Sequence, residues 1–234
     1  MQEQIARLRE RREAFRPPAT DDELSSLRDV LGAELPRAVR ALYADHGGLD
    51  PAPSSLPMRL YVPAEAADAI TRWREFGVPF EDAELGVFWS DENSNDAGVF
   101  VAGPLRDRGF VIDHEDFSPE PRWTTVESFY DALLDGRDEE LLWSEMWTDY
   151  PRRPDRRYPA DDDDLAREYF ALHQRDPRSI SGRIAAFRAL ALSVPDAHDA
   201  IVLTLLESDD MWIQERAADV LRVWGNSDGG LGAT

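Results

Sequence analysis

The chain has 234 residues, including seven Trp and ten Phe, and a formal charge of −21, so it can bury one large core or two modest ones and its aromatic content favours folding over disorder. It has no cysteine, which excludes disulfides, zinc–thiolate sites and thiol nucleophiles; all its cations are arginine, which excludes lysine Schiff bases and the lysine of a phosphate-binding loop. Between residues 51 and 150, 22 carboxylates stand against 7 arginines, and such a field repels nucleic acid and anionic lipid while speeding encounter with a basic protein.

Residues 1–16 carry Ile5, Leu8 and Phe15 on one side and arginines elsewhere, which predicts a solvated helix ended by Pro17-Pro18. Thr20 and Glu23 then form a capping box, Leu24, Leu27 and Leu31 share a face, and Gly32 suits the left-handed end of that helix. Pro36 fits the first turn of a second helix with Val39, Leu42 and Tyr43 as its stripe, stopping at Gly47-Gly48. MRLYV at 58–62 reads as a strand, and Ala66, Ile70 and Trp73 after Pro63 mark another packed helix.

From 77 to 123 the pattern changes to short apolar runs between Gly, Pro, Asn and Asp. GVFW at 86–89, GVFVAG at 98–103 and GFVID at 109–113 read as strands with short connections, hence antiparallel neighbours. Thr124 with Glu127 predicts a capping box, and Val126, Phe129, Tyr130, Leu133 and Leu134 a helix closed by Gly136 and continued through 137–150 with Trp143 and Trp147. The expected fold is α+β, an antiparallel or mixed sheet with helices on one face, followed by an all-helical region.

That region follows PRRPDRRYPADDDD, whose prolines and charge blocks suggest a linker over 151–158, with DDDD favoured at a helix start by the macrodipole. Leu165, Tyr169 and Leu172 define one helix, Ile180, Ile184, Phe187 and Ala191 a second, Pro195 to Leu206 a third, and Ile213, Ala217, Val220, Leu221 and Trp224 a fourth. SDDMWIQERAADVLRVWG looks like half of a HEAT-type repeat, and four helices make about two such units. The expected division is an α+β domain over 1–150, the linker, a HEAT-like helical region over 159–225 and a disordered tail over 226–234.

The order of polar helix start, Leu-Gly, Leu-Pro, apolar helix and Gly, then strand, helix, strands with acidic turns and the closing helix TVESFYDALLDG resembles the SUKH superfamily, the family of cell-wall-synthesis regulators and bacterial immunity proteins, over residues 18–136. The resemblance implies a non-enzymatic module that binds and neutralises a cognate polymorphic toxin. A regulatory scaffold of the cell-wall-synthesis-regulator type is the alternative. The matched motifs are scaffold motifs, so the candidate partner-binding residues come from charge: Glu81, Asp82, Glu84, Asp91, Glu92, Asp96, Asp113, Glu115 and Asp116, with Trp89 as an aromatic anchor for a cognate toxin or other basic protein.

Enzyme motifs are absent. No GxSxG, GxGxxG or HExxH occurs, and no catalytic residue, metal or cofactor is assigned. Asp91, Asn93 and Asn95 match the first ligands of a calcium loop, but Asp96 stands where its glycine belongs and Ala102 where its glutamate belongs. A metal-dependent hydrolase using Asp91, Asp96, Asp113 and His114 is the remaining enzyme alternative. Neither a signal-peptide run nor about 18 consecutive apolar residues is present, so a cytoplasmic protein without membrane contact is expected.

Overall fold

The computed structural model describes residues 1–10, 15–49, 56–78, 84–115, 117–153 and 156–227. They form two compact units, Met1–Phe117 with Trp123–Thr148, and Ser118–Arg122 with Asp149 onward.

In the first unit α1 (Gln2–Glu10) is followed by α2 (Asp21–Leu31) and α3 (Arg37–Asp45). The α2 cap is as the sequence predicts: the Thr20 hydroxyl accepts from the Glu23 amide at 3.3 Å, and the Glu23 carboxylate accepts from the Thr20 amide at 2.7 Å. The Thr20 amide and then its hydroxyl, both donating to the Glu23 carboxyl, hold it below its ordinary pKa. Gly32 ends α2 at φ 74°. Leu27, Leu31, Val39, Leu42 and Tyr43 are buried, and Pro36 serves as the N-cap of α3 rather than its first turn.

The five-stranded sheet has the order β1 (Arg59–Leu60), β2 (Leu85–Ser90), β3 (Asp96–Phe100), β4 (Gly109–Ile112), β5 (Glu120–Trp123). Helix α4 (Pro63–Glu75) joins the first two strands, with Ala66, Ile70 and Trp73 buried as their spacing predicts. β1, β2, β3 and β4 pair antiparallel in succession, and an irregularity between Val87 and Trp89 shifts the β2 register. All six residues of β2 are buried, so both faces of that strand are covered. At Gly98 an added Cβ would lie 2.0 Å from the Gly86 carbonyl and 2.5 Å from Phe110 Cζ, so only glycine permits this approach of β2 to β3.

Helix α5 (Val126–Asp138) starts one residue later than expected, with Thr125 as the cap that accepts from Ser128. It also runs through Gly136, whose missing Cβ makes room for Met146 Cγ at 3.0 Å and Pro57 Cγ at 3.2 Å. The helix stops at a Schellman turn: Glu140 sits at φ 56°, its amide donates to Arg137 O at 3.1 Å, and the Leu141 amide donates to Gly136 O at 2.8 Å. The expected continuation over 137–150 is therefore a reversal. A single 3₁₀ turn (Trp143–Glu145) follows, and Trp147 Nε1 donates back to Asp135 at 3.1 Å.

The second unit holds α6 (Asp162–Arg175), α7 (Ile180–Leu192), α8 (Asp199–Leu206) and α9 (Met211–Ser227). Helix α6 packs on α7, α8 on α9, and α7 on α9. Helix α7 is buried on every side from Ile184 to Leu192, as a central helix with apolar residues all round must be. Leu172 and Ile180, expected in the core, are exposed. Described residues of the stretch expected as a linker make contacts within this unit: Arg152 pairs with Asp163 and accepts at its carbonyl from Trp224 Nε1 at 3.2 Å, and Tyr150, just before the stretch, is buried and donates to Asp162 at 2.8 Å. Helix α9 extends through two residues of the expected tail, whose remainder lies outside the described residues. Among the described residues no helix is long and apolar enough to cross a membrane.

Candidate functional site

Two acidic turns meet at one end of the sheet. Because Ser90 pairs with Asp96 and Asp96 with Ile112, the connection 91–95 and the connection that begins at Asp113 leave the same edge side by side. Asp91 builds the first turn: one carboxylate oxygen accepts from the amides of Asn93 at 2.7 Å and Asn95 at 3.0 Å, the other from Asn95 Nδ2 at 2.6 Å. This is the local side-chain bonding that suits Asp to turns, and it lets Glu92 and Ser94 take φ of 63° and 72°. Asp113 does the same for the second turn by accepting from the Glu115 amide at 2.9 Å.

Asn95 joins the two. Its Nδ2 is committed to Asp91, which orients its Oδ1 to accept from the His114 amide at 3.2 Å and from His114 Nδ1 at 2.8 Å. His114 Nδ1 also lies 3.6 Å from Asp113. Asn95 is buried and was absent from the expected set, since sequence shows it only as one more polar turn residue.

Glu92 is exposed but anchored. It pairs with Arg59, a buried guanidinium that also binds Glu65 at 2.8 Å and the Leu49 carbonyl at 3.2 Å. Burial alone would lower the Arg59 pKa, but the carboxylates of Glu65 and Glu92 outweigh it and the net direction is upward. Glu65 in turn accepts from the Val62 amide at the start of α4, so the acidic turn is tied to that helix. Glu115 is exposed and has no side-chain partner among the described residues.

Three expected contact residues are placed elsewhere. Trp89 is fully buried between Phe88, Phe129 and Tyr130, with its Nε1 donating to the Tyr130 hydroxyl at 3.3 Å, so it is a core residue and not a surface anchor. Asp96 is 1% exposed and accepts from Tyr61 Oη at 2.7 Å, Arg72 at 2.9 Å and Trp73 Nε1 at 2.6 Å. It fastens α4 and Tyr61, the residue after β1, to β3. Burial and then this carboxylate push the Tyr61 phenol up to about 12. Glu84 is buried at the opposite end of β2, about 20 Å along the strand at the usual rise per residue. Glu81, Asp82 and Asp116 lie outside the described residues.

The surface that remains is Asp91, Glu92, Asp113 and Glu115, with Asn93 and His114 between them. It can attract a cation and donate or accept hydrogen bonds. Among the described residues no group of three or more His, Asp or Glu side chains is placed to hold a metal ion, and of the four residues in the hydrolase alternative Asp96 is committed to three donors in the core. Searched against family models and against curated proteins, the chain matches none.

Proposed function

We propose that this protein is a non-enzymatic binding module, an immunity protein that captures and neutralises a cognate bacterial toxin with a basic surface, the property that a nuclease needs at its substrate cleft. The observation that supports this most is the joining of two acidic turns through Asn95, which presents Asp91, Glu92, Asp113 and Glu115 together in a chain of net charge −21. The SUKH-like order of elements points the same way. Rigid carboxylates at the end of a sheet complement a basic cleft without induced ordering, and their field speeds the encounter.

The test substitutes a residue whose side chain takes no part in the turns. Glu115→Arg shifts the charge of this surface by two units and leaves the Arg59–Glu92 pair in place. Association with the toxin, identified by relief of growth arrest on coexpression, is expected to slow about tenfold at low salt, with the thermal midpoint unchanged. An unaltered association rate removes this surface from the interface, and failure to relieve the arrest caused by any basic toxin removes the immunity reading.

A further inference from the structure

Beside the Asp91–Asn93 turn runs a groove of about 670 Å³ that the charge-based reading of the sequence did not include. Its lining combines apolar Leu56, Pro57, Leu141, Leu142 and Trp143 with the carboxylates of Asp91, Asp138 and Glu140, against one cation among the described residues, Arg137. Leu142 is 66% exposed and stands next to the half-buried Trp143. Two large apolar side chains left open beside a carboxylate rim are costly to solvate and are the composition of an interface core rather than of an ordinary surface.

We infer that this groove receives an extended segment of the partner in which arginine or lysine alternates with an apolar side chain. The apolar residue would lie on Leu142 and Trp143 and the cation would reach the Asp91 and Glu140 carboxylates, with the Trp143 ring offering a second, cation–π contact. Charge decides between occupants: an acidic or neutral segment would desolvate the rim carboxylates without compensation, whereas a basic one exchanges their hydration for ion pairs. The inference rests on the proposed function, whose acidic turn supplies one side of the groove.

Glu140 gives a variant that separates binding from folding. It occupies the left-handed position of the Schellman turn, where glycine is the preferred residue, so Glu140→Gly should raise the thermal midpoint while removing a rim carboxylate. The probe is a ten-residue peptide of alternating Arg and Leu, titrated into the full-length ¹⁵N-labelled chain, with alternating Glu–Leu and Arg–Ser peptides as controls.

Selective shifts of the Trp143 indole and the Leu142 and Asn93 amides by the Arg–Leu peptide alone, weakened at least fivefold by Glu140→Gly with the midpoint retained or raised, are expected. Equal shifts at Trp212, no shift at Trp143, or equal response to the Arg–Ser peptide would overturn the inference. Concentration-dependent shifts of the same signals without peptide would overturn it in favour of a second copy of the chain. If the neutralised toxin binds Glu140→Gly unchanged, the groove fails and the function stands; if the peptide binds as expected and no toxin is neutralised, the function fails and the groove stands.

Discussion

Replacing Asp96 tests whether it is a buried fastener rather than a contact residue. Its carboxylate serves three donors, of which Tyr61 and Trp73 are 8% and 3% exposed, while the Arg72 side chain is 47% exposed. Asp96→Ala leaves the indole N–H buried without an acceptor, at about 1–3 kcal/mol, takes one of its hydrogen bonds from the Tyr61 hydroxyl, which keeps Ser90, at about 1 kcal/mol, and adds little for Arg72, which turns to water; the total is about 2–4 kcal/mol. Asp96→Asn keeps one acceptor for Tyr61 but turns an amide N–H₂ toward the Trp73 N–H and Arg72, and should cost about 2–3 kcal/mol despite its equal size. Typical domains have only about 5–15 kcal/mol in total, so either loss is easily read. Urea unfolding followed by tryptophan fluorescence suits the question, since Trp73, Trp89, Trp123, Trp143 and Trp147 all lie in the first unit. An Asn variant within about 1 kcal/mol of the parent would refute the reasoning, because it would mean that the indole and hydroxyl find water in the native state.

Two further outcomes concern stability. His46 and His198 are both held below the ordinary value of 6.5, each chiefly by burial; His198 Nδ1 accepts from the Val194 amide at 3.1 Å, a bond that protonation abolishes. Since the unfolded chain binds these protons first, stability is full above about pH 6.5 and falls as pH drops below it, and His198→Gln should flatten that slope in urea midpoints measured between pH 7 and 5. A slope unchanged in the variant would exclude His198 as a source. Gly98→Ala should cost at least about 3 kcal/mol or prevent folding, because the new Cβ meets a backbone oxygen that cannot swing aside, whereas Gly225→Ala, with open space around it, should be neutral or stabilise by up to about 1 kcal/mol in the same assay.

Local signals were the legible ones. The Thr20–Glu23 box, the left-handed Gly32 and the stripes of α2, α3 and α4 are each decided within a few residues, and the same holds for β2, β3 and β4 with their polar turns. β5 was not legible, because EPRW has proline and charge where a strand signal needs β-branched residues; its place at the end of the sheet order is where proline is tolerated. Gly136 misled for a related reason: a glycine inside a helix and one beyond its end look alike until the Met146 side chain packed against it is known. At the site, sequence supplied the correct turns but not the sorting of their residues. Asp91 and Asp96 are five positions apart in one polar run, and only pairing register and the indole of α4 place the second in the core.

That sorting sharpens the electrostatic argument. Asp91 and Asp113 accept bonds from backbone and amide groups, which carry no net charge, so these carboxylates are oriented without being neutralised. Glu92 differs, since Arg59 offsets it within the turn. Among the described residues the effective field at the sheet end is therefore that of Asp91, Asp113 and Glu115, and two of those three are immobilised by the turns they build. An arriving cation meets charges whose ordering entropy was already lost on folding, so each pair formed with Asp91 or Asp113 keeps more of its Coulomb energy than one formed with a free surface glutamate. Asp91 stands between the two surfaces, in the turn pair and on the rim of the groove, and its neutralisation should weaken both at once; but Asp91→Asn would also remove an acceptor that shapes the turn, which is why Glu115 and Glu140, one on each surface and neither needed for its turn, are the informative pair.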